Sequence, residues 1–594
     1  MTVDYRAPTQ RGSEYAPCPF PWLTIEVALY AALVAAALAL RLAALGRFPL
    51  SAPEASMVLT AWRTVRGGEL MPTLYSPLLV AADMALFWLT RATDAATRLV
   101  PALAGAALVA LPFAVRRTLG RGAALVTATL LAFAPSWVFY SRTGEWPIVA
   151  TALAAGLVVA SDRYRQSGTR LDARLIAVLL GAGLAAGPGL ITPLLVMAAY
   201  GLLWARGRSL LGRAQLRGLA LGAATRDNVL VAAGVFVALA SALWVNPAGI
   251  GAAANLMGHW VGSLAPGASG RGMGALPTLL LTYEFLTVAL AIAAGVFGAR
   301  RRAPLDALLL GWAALALVLG VLLGHRGPEW LLDALLPLVV LAGRGAAYLW
   351  EALRREVSVA DAVALVAALA LGAFALLEIA GYLLTTQQQF LIYGLLVLGA
   401  LVLAWVGFWL WGEPLQAARV GTAVVALFAI GLTVRTTTAI AYQTARDPRE
   451  PLVGMVALPQ AGEMNAFVAL LSDHLTGDTR ALEVAYERDL NPWAAWYLRD
   501  YAAAHEVASV APAGAEAPVL LAGPAASSPG PTGYVGQRFI LSETRPAQRL
   551  SPREAVQWLL YRAPVGEVER TYLHVWVQAP GASPEALQRT TSTP

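Results

Sequence analysis

The sequence predicts an all-α polytopic membrane bundle of about thirteen transmembrane helices followed by a C-terminal extracytoplasmic α/β domain. Three observations carry that prediction. The 594 residues are 58% hydrophobic and only 13% charged, with a mean hydropathy of +0.61, which is more apolar surface than one soluble core can hide. Apolar runs of spanning or near-spanning length recur down to residue 442. The loops between them alternate between arginine-rich and nearly uncharged.

Taken in order, residues 1–22 form a polar tail, and the run 23–45 lacks a small-residue cleavage site, so it reads as an uncleaved signal anchor. Further spans are expected at 98–116, 122–140, 145–162, 171–187, 189–205, 228–246, 276–298, 303–324, 330–350, 358–383, 389–411 and 417–442, with a shared break at Gly187 and Pro188. The clusters at Arg116/Arg117/Arg121, Arg163/Arg165/Arg170/Arg174, Arg206 to Arg226, Arg300 to Arg302, Arg344/Arg354/Arg355 and Arg419 fall on one side. The opposite short loops contribute Arg142, Arg271 and Arg326. The positive-inside rule therefore predicts a multi-pass protein of the cell membrane with a cytoplasmic N-terminus.

The same parity assigns residues 46–97 to one long external loop. Its apolar stretch 77–91 (PLLVAADMALFWLTR) would put every later arginine cluster outside if it spanned. With Asp83 at its middle it reads as a helix lying in the outer interface. An odd number of spans exports residues 443–594, where short strand-like runs (PLVGMVAL, APVLLAG, RTYLHVWV) alternate with helical ones (EMNAFVALLSDHL, PREAVQWLLYR). The densest aromatic patch there, Trp493 to Tyr501, is expected to pack in the tail's own core, with sugar stacking as the alternative.

Composition also excludes classes. The net charge of +7 is dispersed among apolar runs, all of it on arginine, so no nucleic-acid partner is expected. Cys18 stands alone and rules out an internal disulfide. Neither a Gly-rich phosphate loop nor a nucleophile elbow is present. A transporter would show internal repeats and paired broken helices, whereas the Gly187 break has no counterpart.

Several segments, in order, carry a resemblance: RLAALGRFPLSAPEAS, LYSPLL, TRLVPALAG, FAPSWVFYSRTGEWP, WVNPAG, PTLLLTYE, HRGPEWLLDALLPLVVLAG, REPLVG and NPWAAWYLRDY. Together they resemble the GT-C glycosyltransferase superfamily, in the branch of protein O-mannosyltransferases and aminoarabinose transferases. Within it they are most similar to the flippase-activity-associated multispanning proteins of archaea and bacteria. The resemblance implies a GT-C bundle whose site faces outward beneath the first external loop. It also implies transfer of a sugar from a polyprenyl-phosphate donor to a protein, lipid or glycan acceptor, with membrane lipids as further partners. A lipid-linked-sugar binding or flipping role without catalysis is the alternative.

Such a reaction needs a carboxylate to take the acceptor's proton and cations to steady the phosphate. Glu54 matches the second acid of the superfamily's pair and is the expected base, while Pro53 stands at the first, catalytic position. Tyr75 or Ser76 stands where the superfamily has a histidine. Arg142 is the expected phosphate contact, with Glu145, Arg98, Tyr75, Glu284, His325 and Arg326 as further substrate-binding candidates. Plainer readings compete: a local ion pair for Arg142 and Glu145, snorkelling for Arg98, pairing inside the bundle for Glu284, and a Trp330 interface anchor in the loop of His325. No cofactor is expected, because the five histidines lack metal-ligand spacing and one carboxylate is a poor nest for the divalent cation some relatives use.

Overall fold

The computed structural model describes residues 24–68, 74–207, 224–263, 274–322, 330–354, 358–411, 414–453, 455–457, 459–510, 517–524, 533–545, 551–562 and 565–579. Cys18, His325 and Arg326 lie outside these residues.

Each apolar run assigned to a span is helical. Among the described residues, seven helices are long and apolar enough to cross a membrane, or nine if two bent pairs each count as one span. The thirteen crossings read from hydropathy are therefore not all matched by helix length. Arg170–Ala186, Ile191–Gly207 and Arg226–Ala240 have 17, 17 and 15 residues, or about 22–26 Å at 1.5 Å per residue, against about 30 Å of hydrocarbon. Pro147–Ser167 is long enough but carries Asp162, Arg163 and Arg165 in its last turns. The Gly187 break has φ +148, and a Cβ there would meet the Trp146 ring at 2.9 Å, so glycine is required on both counts.

The two bends position the rest. Arg121–Phe133 and Pro135–Ser141 meet at 54°, because Pro135 cannot donate to the preceding turn. The carbonyls this break orphans are taken by Arg41, which is fully buried on the first helix, α1 (Ile25–Leu42). Its guanidinium donates to Leu131 O (2.8 Å), Ala132 O (3.1 Å), Ala37 O (3.3 Å) and Ser141 Oγ (3.1 Å). A buried cation thus sits on a helix C-terminus, where the dipole favours it. Gly105 makes room for this contact: a Cβ there would lie 1.9 Å from Ser141 Oγ and 3.0 Å from Arg41 Nε. Gly105→Ala is expected to cost about 1–3 kcal/mol by overpacking, read as a lower thermal midpoint in detergent. The second bend, 97°, separates Ala275–Tyr283 from Phe285–Arg301. At its corner the buried Glu284 accepts from Ser136 N (3.0 Å) and Thr287 Oγ1 (2.9 Å), tying one bend to the other.

Among the described residues, the segment after α1 holds two helices of more than ten residues and the short helix Asp94–Thr97. In α2 (Ala52–Val65), Ser51 and Glu54 form a capping box, with Ser51 N donating to Glu54 Oε2 (2.7 Å) and Glu54 N to Ser51 Oγ (3.3 Å). Pro53 fits this first turn, where a missing N–H costs nothing. The next helix, α3 (Pro77–Leu89), packs on α2 and on the helices Arg170–Ala186 and Arg226–Ala240. In this helix, expected to lie in the outer interface, Asp83 is fully buried, and neither carboxyl oxygen has a partner among the described residues. Leu79, Val80, Met84 and Phe87 are buried with it.

Burial holds the Asp83 carboxyl well above the usual aspartate range. A group with a raised folded value contributes fully below its unfolded value, and that contribution is lost as pH rises towards the folded value. Wild-type protein should therefore melt at progressively lower temperature as pH climbs from the ordinary aspartate range. Asp83→Asn is expected to remove this slope in melting curves recorded across pH.

After the last spanning helix, Pro414–Thr438, the chain builds a six-stranded sheet. Its strands are β1 (Met455–Ala457), β2 (Val484–Glu487), β3 (Ala504–Val507), β4 (Val519–Ala522), β5 (Tyr534–Thr544) and β6 (Glu569–Gln578), in the order β1-β5-β6-β4-β2-β3. β2 pairs in parallel with β3 and β4, and the other pairs are antiparallel. Leu573 and Val575 of β6 alternate onto the face covered by Met464 and Val468 of the helix Ala461–Thr476.

The tail is fastened to the first loop through the aromatic patch. Trp496, fully buried, donates from Nε1 to Asp94 Oδ1 (2.9 Å). Tyr497 donates its hydroxyl to Asp94 Oδ2 (3.2 Å) and accepts from Leu50 N (2.9 Å). Arg499 donates to Ala92 O (2.6 Å). The patch was expected inside the tail's own core; Ala494, Ala495, Leu498 and Tyr501 do pack there, while Trp496 and Tyr497 close the joint with the loop.

Candidate functional site

Where α2, the bends and the start of the tail converge, two cavities adjoin. Glu145 lines both. The first, about 230 Å³, is bounded by Pro53, Trp146, His259, Trp260, Trp330 and Asp333 among others. The Trp260 and Trp330 rings stack at 5.9 Å and 22°, and Asp333 is fixed by Thr192 Oγ1 at 2.9 Å. Such a lining offers flat apolar faces beside carboxylates, the combination that holds a sugar ring while leaving a proton acceptor nearby. The second cavity, about 140 Å³, is walled by Arg98, Arg142 and Arg446 with Ser51 and Thr143.

Glu54 sits behind these cavities rather than in them. It is fully buried, and five donors reach its two oxygens: Arg98 Nε and Nη2 (2.9 Å each), Arg446 Nη2 (2.7 Å), Gly144 N (2.6 Å) and Ser51 N (2.7 Å). Burial alone would push its carboxyl up, but Arg98 and Arg446 together hold it well below the usual range. The acid expected as base thus directs its acceptor capacity to five donors of the protein itself. What it does is hold Gly144, and with it the adjacent Glu145. Glu145 is further steadied by Ser51, whose hydroxyl donates to Oε1 at 3.3 Å.

Arg98 and Arg142, expected at the substrate, are largely committed to the backbone. Arg98 donates to Leu45 O, Phe48 O and Pro49 O (3.1, 2.8 and 3.0 Å) besides Glu54. Arg142 caps the C-terminus of α1, donating to the carbonyls of Leu40, Arg41, Ala43 and Ala44 (3.1, 2.9, 2.8 and 3.3 Å), and lies 4.6 Å over the Tyr442 ring. Tyr75 is buried and accepts from Asn246 Nδ2 at 3.3 Å, outside both linings, and Glu284 is likewise taken up at its bend. Sequence reasoning missed Arg446 and Asp333. An acid inside the apolar run LLDALLPL carried the same signal that singled out Glu284. Among the described residues no three His, Cys, Asp or Glu side chains gather as a metal-binding group.

The chain is thus a bundle with two sharp bends, a helical first loop forming one wall of the site and a small sheet docked on that loop. In overall fold the chain is similar to ArnT from Cupriavidus metallidurans. The likeness to that protein's crystal structure bound to undecaprenyl phosphate has a TM-score of 0.55 at 14% identity, over 94% of this chain and 98% of that one. For the apo state of ArnT the values are 0.51 and 14%, over 93% and 98%. No protein-family model matches the chain, and no curated protein matches it in sequence.

Proposed function

We propose that the protein is a membrane glycosyltransferase that uses a sugar carried on a polyprenyl phosphate, acting on the outer face. The observation that carries this reading is the pair of adjoining cavities, one aromatic and acidic, the other walled by three arginines, with Glu145 on both. The sugar fits the first and its phosphate the second. The undecaprenyl phosphate bound to ArnT supports the donor class. The arginine-rich loops support a cytoplasmic face opposite the tail, so that the site and residues 443–594 lie outside.

In this reading an acceptor hydroxyl attacks the anomeric carbon. The carbon–oxygen bond to phosphate breaks with its electron pair leaving on the phosphate, and the hydroxyl proton passes to the Glu145 carboxylate. Glu54 and Arg98 hold the loop that presents Glu145. The test is sugar transfer by purified protein from a labelled polyprenyl-phosphate sugar to a chemically diverse acceptor panel. No consumption of any such donor, with saturable binding retained, would favour the alternative of a lipid-linked-sugar binding protein. One observation favours that alternative: Pro53, at the superfamily's aspartate position, lines the aromatic cavity and supplies no carboxylate there.

A further inference from the structure

We propose that Arg446, contributed by the segment that leads from the last spanning helix into the tail, is the residue that grips the phosphate group in the arginine-walled cavity. The three arginines lining this cavity are not equally available. Arg98 is 2% exposed, and all three of its guanidinium nitrogens are bonded to Glu54 or to loop carbonyls. Arg142 spends both terminal nitrogens on the end of α1. Arg446 uses Nη2 alone, in its 2.7 Å pair with Glu54, and among the described residues Nε and Nη1 have no partner. Its side chain keeps 16% of its surface exposed, against 2% for Arg98.

A guanidinium held at one corner by a carboxylate, with its other edge open to a cavity, is preorganised for a two-pronged contact with phosphate oxygens. Counting Glu54 behind the wall, two carboxylates face three guanidinium groups, so the region keeps a net positive charge for an anion. The tail thereby supplies part of the site itself, in addition to docking on the first loop.

This inference rests on reading the site as one for a lipid-phosphate donor, and the two are separable by binding measured without turnover. The full chain in nanodiscs is titrated with undecaprenyl phosphate, undecaprenol and inorganic phosphate. Saturable binding of the lipid phosphate, tighter than of the alcohol, is expected for the wild type. Arg446→Gln should weaken it by about ten- to a hundred-fold, with undecaprenol unaffected, and Arg446→Lys should recover part of the loss. If the wild type does not prefer phosphate over alcohol, the donor class itself fails. If it does and Arg446→Gln binds equally well, Arg446 is not the contact and the donor class stands.

Because Arg446 also pairs with Glu54, a second measurement uses the unaltered protein. Phenylglyoxal should label Arg446 in the free chain, and undecaprenyl phosphate should suppress that label where undecaprenol does not. Labelling at Arg446 that is indifferent to lipid phosphate would overturn the proposal. Protection by inorganic phosphate as strong as by the lipid would overturn the assignment to a lipid headgroup.

Discussion

Glu54→Gln is expected to destabilise the protein by about 3–5 kcal/mol, the cost of leaving buried guanidinium groups without their carboxylate. Arg98 and Arg446 would lose the negative charge they share, and the donors on one of the two oxygens would face an amide NH2 instead. The readout is a thermal midpoint in detergent, with the yield of folded protein falling in parallel. The pH dependence has a definite sign. Glu54 titrates well below an ordinary glutamate, so its stabilisation is present above the unfolded value and is lost as pH falls from there towards the folded one. The variant should therefore show a flatter acid limb than the wild type when midpoints are compared from neutral pH down through and below the ordinary glutamate range. An unchanged midpoint at neutral pH would mean that the two arginines find other partners and that Glu54 does not organise the loop.

The second large effect is expected at Glu145. Glu145→Gln should lower turnover by about a hundred- to ten-thousand-fold, the usual worth of a positioned proton acceptor. The thermal midpoint should move little, because Glu145 has cavity on two sides and glutamine keeps an oxygen to accept from the Ser51 hydroxyl. The two substitutions thus separate chemistry from architecture: glutamine at 54 should lose fold and activity together, and glutamine at 145 activity alone. Retained turnover in Glu145→Gln, with loss in Asp333→Asn, would move the proton acceptor to the other carboxylate of the aromatic cavity.

Much of this was legible in the sequence, for identifiable reasons. Apolar periodicity over 20 or so residues is a strong signal, and every run it marked is helical. Whether each crosses is a weaker inference, because a 15-residue helix such as Arg226–Ala240 and a full span look alike until their ends are fixed. The ordered segments pointed to a fold like that of ArnT, and Glu54, Arg98, Arg142 and Glu145 do gather in one place. Their roles were not legible. A short motif identifies an acid but not its partners, and Arg446, whose pairing settles the state of Glu54, lies in a segment that carries no motif signal of its own. The burial of Asp83 was not legible either, because only the packing of neighbouring helices reveals that the carboxyl is sealed in.

The pair between Glu54 and Arg446 joins positions 392 residues apart. A ribosome making this chain would finish the first loop long before the arginine that neutralises it exists. Until then an acid and its neighbouring Arg98 must wait beside the membrane in an unfinished setting, and a contact of such sequence separation forms late. Premature termination anywhere before residue 446 should therefore yield a chain that can insert its early helices but cannot set the first loop.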